Sequence, residues 1–281
     1  GLPKYELTVN VGSPETRSLK VDNNKVVSYW EDGENFLVYQ VTSPDTRLTK
    51  YSYLSPSGLP SGAKSARLRG EIEGALAKGQ ELAFLYPGNA LQTNMQGSVR
   101  STVRSEDTEV YKIIEPMEKD GDEYVPSKKP SLRLGVNVSQ QEGTLESLGK
   151  LYDLQYGRAA VTEMTNGKAT ATVNSMSRKV AIWAISFKNK DNNALFGNID
   201  YVAILGVKPT GQLDLKTGNW VDNGQEGTGT VTLAKKDGSK MNGSSTFYAA
   251  IIPGTYTDVT VMVDANNKYY IAKVKNGKQF K

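Results

Sequence analysis

Tyr5, Leu7, Val9 and Val11 alternate with Glu6, Thr8 and Asn10 at the head of the chain. Successive side chains of a β-strand point to opposite faces, so this period of two puts the apolar groups on one face. A stretch with few special options follows: Gly12-Ser13-Pro14-Glu15-Thr16-Arg17-Ser18 is polar and rich in turn-forming residues. Two readings of this head stand side by side. It is an edge strand followed by a surface loop, or it is a strand that an arginine-specific protease detaches by cutting after Arg17. Losing a strand exposes unpaired N–H and C=O groups, a template for strand addition by another chain.

Strand-like segments recur. Phe36–Val41, Leu82–Tyr86, Val110–Ile114, Leu132–Val138, Ala169–Val173, Val180–Phe187, Tyr201–Val207, Thr228–Leu233 and Phe247–Ile252 all read as strands, separated by Gly, Asn, Asp and Pro. Short strands with regular turn signals predict an all-β sandwich. Thr144–Tyr152 is the exception: Leu145, Leu148, Leu151 and Tyr152 share a helical face, with Thr144 as N-cap. Gly149 shortens that helix to one or two turns, an apolar plug over a sheet end. The turn Thr165-Asn166-Gly167-Lys168 is the expected join between two domains, 1–165 and 166–281. Residues 55–62 and 115–130 are expected surface loops. Near the end, Asn266-Asn267 and Asn276-Gly277 each predict a hairpin, and the second is followed only by Lys278–Lys281.

The chain of 281 residues contains neither cysteine nor histidine. That removes thiol nucleophiles, disulfides, the usual acid/base of catalytic triads and the commonest zinc ligands. No enzymatic activity, metal or cofactor is therefore expected. Charge is mixed, with 34 Lys+Arg against 30 Asp+Glu, and no basic block interleaved with aromatics suggests nucleic acid as a partner. No apolar run approaches the ~18 residues of a membrane helix. Fifteen tyrosines and many β-branched residues suit an exported β protein. Gly1 reads as the remnant of trimming, with an export signal and a lipid-bearing cysteine removed upstream.

Several motifs resemble reactive sites. Ser61-Gly62-Ala63-Lys64 and Lys216-Thr217-Gly218 match two signatures of penicillin-recognising serine enzymes. Ser61 lies in a Pro/Gly loop with no helix signal, and no S-D-N triplet separates the two, so that chemistry is not supported. Gly224–Gly229 is glycine-rich without linking a strand to a helix, and reads as a hairpin loop rather than a phosphate cradle. Asp120-Gly121-Asp122-Glu123 lacks the spaced ligands of a calcium loop and reads as a solvated turn. Asp32 and Glu34 form a carboxylate pair of no defined separation. Of the tryptophans, Trp183 and Trp30 read as packing residues; Trp220 is the candidate for exposure and for stacking on a glycan, although a core position is favoured for it too.

Four ordered stretches resemble the fimbrillin-like pilins and surface lipoproteins of Bacteroidales: the first strand with Thr16-Arg17; Trp30–Glu34 leading into Phe36–Tyr39; Gly70, Gly79 and Leu82–Pro87; and Phe247–Gly254 followed by Tyr256–Val261. Tyr152–Tyr156 and Met176–Ala181 are similar too. The resemblance implies two transthyretin-like β-sandwich domains with one short helix, and export as a lipoprotein to the outer membrane or fimbrium. It also implies cutting after Arg17, and replacement of Tyr5, Leu7, Val9 and Val11 by the C-terminal strand of a neighbouring subunit. The partners implied are other fimbrial subunits, in homo- or heteropolymers, and host proteins or glycans. Stalk, tip and anchor roles all stay open. On this reading residues 5–11 should lie buried beside the last strand. The alternative function is that of a surface glycan-binding lipoprotein.

Overall fold

The opening alternation forms a strand, and it is a central one. The architecture comes from a computed structural model, which describes residues 3–12, 20–22, 25–27, 36–41, 52–56, 58–60, 63, 65–73, 76–87, 98–103, 106–114, 117–126, 133–174, 176–221 and 227–281. In chain order the first strands are β1 (Lys4–Val11), β2 (Lys20–Asp22), β3 (Lys25–Val27), β4 (Phe36–Gln40), β5 (Ser52–Pro56), β6 (Ala66–Glu73) and β7 (Glu81–Pro87). Next come β8 (Ser98–Val103), β9 (Glu106–Ile114), β10 (Met117–Asp120), β11 (Glu123–Pro126), β12 (Arg133–Asn137), β13 (Gln140–Gln141) and helix α1 (Leu145–Leu151). They are followed by β14 (Leu154–Thr165), β15 (Lys168–Val173), β16 (Ser177–Arg178), β17 (Ala181–Ile185), β18 (Asn198–Ile199), β19 (Tyr201–Val207) and β20 (Thr210–Asp214). The last are β21 (Gly229–Leu233), β22 (Met241–Asn242), β23 (Phe247–Ile251), β24 (Gly254–Tyr256), β25 (Thr260–Ala265), β26 (Lys268–Lys273) and β27 (Lys278–Phe280). The fold is an all-β sandwich with one short helix among the described residues.

The largest sheet runs β15-β1-β6-β5-β4-β7-β14-β16, and β14 also pairs with β15. The sheet therefore closes into a ring. The long β14 makes this possible: residues 154–160 pair with β7, and the register then shifts between Val161 and Glu163 as the strand turns to β15. Such a bulge bends a strand and increases its twist. Inside the ring pack Leu7, Val9, Val11, Phe36, Val38, Leu68, Leu82, Phe84, Tyr86 and Ala171. The alternate residues Leu37, Tyr39, Ala83, Leu85 and Tyr156 face outward into a second core. Every residue of β4 is thus buried, which explains why it reads as a continuous apolar run rather than an alternation.

The second core is covered by a four-stranded sheet, β20-β12-β9-β8, and a five-stranded one, β13-β21-β19-β25-β26. Gln141 bridges from β13 to β23: its amide nitrogen donates to the carbonyls of Val138 (2.9 Å) and Ala250 (2.8 Å), and its oxygen accepts from the Ala250 N–H (2.8 Å). The predicted helix forms as α1. The Thr144 hydroxyl accepts from the Ser147 N–H at 3.2 Å, and Leu148 and Tyr152 are buried. Just beyond it the buried Asp153 accepts from Arg178 Nε at 3.1 Å and from the Gln155 amide at 3.2 Å, locking β14 to β16.

A join at residue 165 does not describe this arrangement. Asn166 and Gly167 have φ of 46° and 77° and form the two-residue turn of the β14–β15 hairpin, with Thr165 opposite Lys168. An Asn-Gly turn with both residues at positive φ joins neighbouring strands of one sheet. A division into 1–165 and 166–281 cuts that sheet, leaving β15 and β16 apart from β1 and β14. The two halves also interleave elsewhere, since β12 pairs with both β9 and β20.

Two buried tyrosines sit at the junction of ring and outer sheets. Burial pushes the Tyr111 phenol well above the ordinary value, with Tyr152 and Asp153 adding to the effect. Burial raises Tyr156 as well, although Arg158 works the other way. A phenol whose folded value is raised contributes stability that is fully present below the unfolded value of 10.0. That contribution is lost as pH climbs past it, because the unfolded chain ionises first. The thermal midpoint is expected to hold between about pH 8 and 9 and to fall by about pH 11, with Tyr156→Phe showing a shallower fall. Calorimetry across that range checks this, and an equal slope in the variant would contradict it.

Candidate functional site

The seat of β1 is the candidate site. β1 runs antiparallel to β6 and parallel to β15. Leu7 lies between Gly70 and Ala169, Val9 between Leu68 and Ala171, and Val11 between Ala66 and Val173. Small residues on the flanking strands leave volume for the larger ones of β1. Leu7 and Val9 are 0% exposed and Val11 is 1% exposed, and Tyr5 packs half-buried on the same core. Burial of each such aliphatic side chain stabilises by about 1.5–3 kcal/mol.

The backbone is held at both ends. The Glu6 N–H donates to the Gly167 carbonyl at 2.9 Å and the Gly12 N–H to the Val173 carbonyl at 2.8 Å. At Gly12 the chain passes so close to β15 that a Cβ would lie 2.3 Å from the Asn174 carbonyl oxygen. On the outer face Lys4 pairs with Glu71 at 3.1 Å, and Arg67 Nε donates to Asn10 at 3.3 Å. Exposed contacts of this kind are worth at most about 1 kcal/mol, so the inner face holds the strand. Without β1, strands β6 and β15 would face each other across two strand spacings, roughly 9.5 Å. Only an extended segment with alternating apolar residues fits such a slot. Ala169, Ala171 and Gly70 line it. Their sole sequence signal is small residues alternating along a strand.

Leu7→Ala is expected to cost about 2–5 kcal/mol in urea unfolding. Glu6→Ala, on the exposed face of the same strand, should stay within about 0.5 kcal/mol. Equal losses would mean that the inner face does not hold the strand.

Residues 13–19, and with them Arg17, lie outside the described residues, as do Trp30, Asp32, Glu34, Ser61, Lys64 and residues 222–226. Lys216-Thr217-Gly218 is a turn that clamps Tyr156. Asp214 Oδ1 accepts the N–H groups of Lys216 (2.7 Å) and Thr217 (3.1 Å). The Tyr156 hydroxyl meets the carbonyls of Leu215 and Lys216 at 2.8 and 3.1 Å. Gly218, at φ +72°, passes so near the ring that a Cβ would sit 2.4 Å from it. Asp120 and Glu123 pair across the two-residue turn of the β10–β11 hairpin.

Trp220 is half-buried and packed on the second core. Its indole N–H donates to the Lys179 carbonyl at 2.8 Å, and its ring covers Gly211, where a Cβ would meet it at 3.1 Å. The geometry is that of an anchor between β20 and the chain entering β17. Trp220→Ala is expected to destabilise by about 3 kcal/mol, with Trp220→Phe intermediate, as read by thermal unfolding. A neutral Trp220→Ala would instead mark a side chain kept for a ligand.

The end of the chain departs from expectation. Asn266-Asn267 does form the β25–β26 turn, at φ of 55° and 58°. After Asn276-Gly277, however, β27 pairs with β24 rather than returning along β26. Phe280 is thereby buried, its ring 5.3 Å from that of Trp183 and 6.0 Å from that of Tyr256. β26 is exposed along its whole length and offers Phe280 no such seat. Consequently β1 is buried, but beside β6 and β15 and not beside the last strand.

The complete fold resembles two crystal structures from Bacteroides. A Bacteroides uniformis protein, named for a proposed role in cell adhesion, aligns over 99% of this chain and 88% of its own with a TM-score of 0.56 and 11% identity. A Bacteroides ovatus protein with the same kind of name aligns over 100% and 89% with a TM-score of 0.50 and 15% identity. At these identities the likeness is one of fold. No family model and no curated protein matches the sequence.

Proposed function

We propose that this chain is a structural fimbrial subunit or an associated cell-surface adhesion protein, without enzymatic activity, that assembles by losing β1 and accepting another subunit's strand. The observation that carries the reading is the position of β1. It closes the ring between two strands that have no pairing with each other, and it reaches the rest of the body through the segment holding Arg17. Two Bacteroides proteins named for cell adhesion share the fold over nearly the whole chain, which supports the same setting. Export as a lipoprotein to the outer membrane, with other surface subunits as partners, belongs to this proposal.

Hydrolysis after Arg17 would separate residues 1–17 from the body without itself breaking the contacts of Leu7, Val9 and Val11. An incoming strand would compete residue by residue, each backbone pair and each apolar side chain replacing its equivalent. The body survives because β4, β7 and β14 keep their outward faces in the second core.

An arginine-specific protease is expected to cut after Arg17 and leave a folded 18–281 body, seen by intact mass. A fluorescent peptide of residues 3–12 should then enter the cut protein by exchange and leave the uncut protein and Arg17→Ala unlabelled. Resistance at Arg17 while other loops are cut, or equal labelling of cut and uncut protein, would overturn the proposal.

A further inference from the structure

We infer that a cleft between the N-terminal end of α1 and the segment 235–246 is a binding site for a short neutral oligosaccharide. The inference rests on the adhesion part of the preceding reading and not on release of β1. The cleft has a volume of about 790 Å³, within the roughly 300–1,000 Å³ of small-molecule sites. None of the sequence motifs points to it, because its walls come from segments about 90 residues apart.

Its walls are set before any ligand arrives. On one side the Tyr248 N–H donates to the Gly143 carbonyl at 2.8 Å, which fastens the approach to α1 against β23. The Lys236 N–H donates to Glu142 at 3.2 Å, tying the opposite wall to the same approach. Asp237 accepts from the N–H and hydroxyl of Ser239 at 2.9 and 2.5 Å, and Gly238 turns the chain at φ 75°. Behind the floor Phe247, Phe187, Phe196 and Tyr270 form a run of rings with centroids 5.8, 5.9 and 4.9 Å apart. A site held this way loses little conformational freedom on binding.

The lining chemistry selects the ligand class. Met241 and Phe247 close the floor, 4% and 3% exposed, and the lining as a whole is more apolar than polar, which suits the C–H face of a sugar. The exposed rim carries the Ser245 hydroxyl and the Thr144 hydroxyl, which accepts from Ser147 and keeps its proton to donate. It also carries the Thr246 hydroxyl, which shares one bond with Ser186, and the Asn242 amide, whose oxygen accepts from Ser244 and whose NH2 remains to donate. Vicinal hydroxyls require that mixture. A purely apolar ligand would strip water from the rim without replacing its hydrogen bonds. The charges oppose one another: Glu142, Glu146 and Asp237 face Lys235 and Lys236, and Lys150 lies 3.0 Å from Glu146. Neither an anionic nor a cationic ligand gains a one-sided field there, so the site suits a neutral polyhydroxylated chain.

The test uses the intact chain with β1 in place, applied to an array of neutral and acidic oligosaccharides, each hit then being titrated by NMR. Neutral glycans are expected to bind and to shift the amides of Gly143, Asn242, Ser245 and Thr246. Ser245→Trp and Lys236→Trp fill the cleft from opposite walls. Each should weaken binding at least about tenfold with the thermal midpoint unchanged. No neutral hit, shifts that map elsewhere, binding unaffected by both folded variants, or binding confined to sulfated glycans and abolished by salt would each overturn the inference. Because uncut protein is used, such a failure leaves the Arg17 experiment untouched, and failure of strand exchange leaves the glycan result standing.

Discussion

Two strand edges, β6 and β15, face one another across a gap that β1 alone fills among the described residues. Buried N–H and C=O groups without partners cost free energy comparable to lost hydrogen bonds, so the ring depends on that one strand being present. Its inner residues also complete the ring's core, where Leu7 and Val9 occupy the volume that Ala169 and Ala171 leave open. The partners of β1 are distant in the chain. Its parallel pairing with β15 joins residues 162 positions apart, more than half of the chain, a contact whose loop-closure cost is met late in folding.

The rest of the molecule is built so that this dependence is local. β4 and β7 bury alternate residues into two cores, the ring interior and the layer beneath the outer sheets. β12 pairs with β9 from the first half and β20 from the second, and the Tyr156 clamp ties β14 of the ring to the turn that follows β20. The side chains of β1 belong to the first of these cores alone.

Much of this is legible in the residues themselves. The alternation at Tyr5–Val11, the strand runs and the Thr144 cap all form where the pattern puts them, because period and capping are local properties. Local properties also mislead. Asn166-Gly167 signals a turn and says nothing of whether the next strand joins the same sheet; here it does. Asn276-Gly277 signals a hairpin, yet the seat beside Trp183 and Tyr256 draws Phe280 to β24. Trp220, the tryptophan with the most polar neighbours, packs on Gly211 and the Lys179 carbonyl, in keeping with the core position favoured for it. The cleft beside α1 has no signature at all, since its floor and rim come from segments brought together by the fold.

The sequence by itself determined the class of fold, the strand at the head and its buried face, the short helix, and the lack of thiol and imidazole chemistry. These follow from side-chain period, capping and composition, which need no knowledge of distant partners. Only the tertiary structure decided that the first strand is central, which strands flank it, where the sheet closes and where the last strand docks. Those outcomes depend on volume and hydrogen-bond satisfaction between residues far apart in the chain, and a period of two is equally content on an edge or in the middle of a sheet.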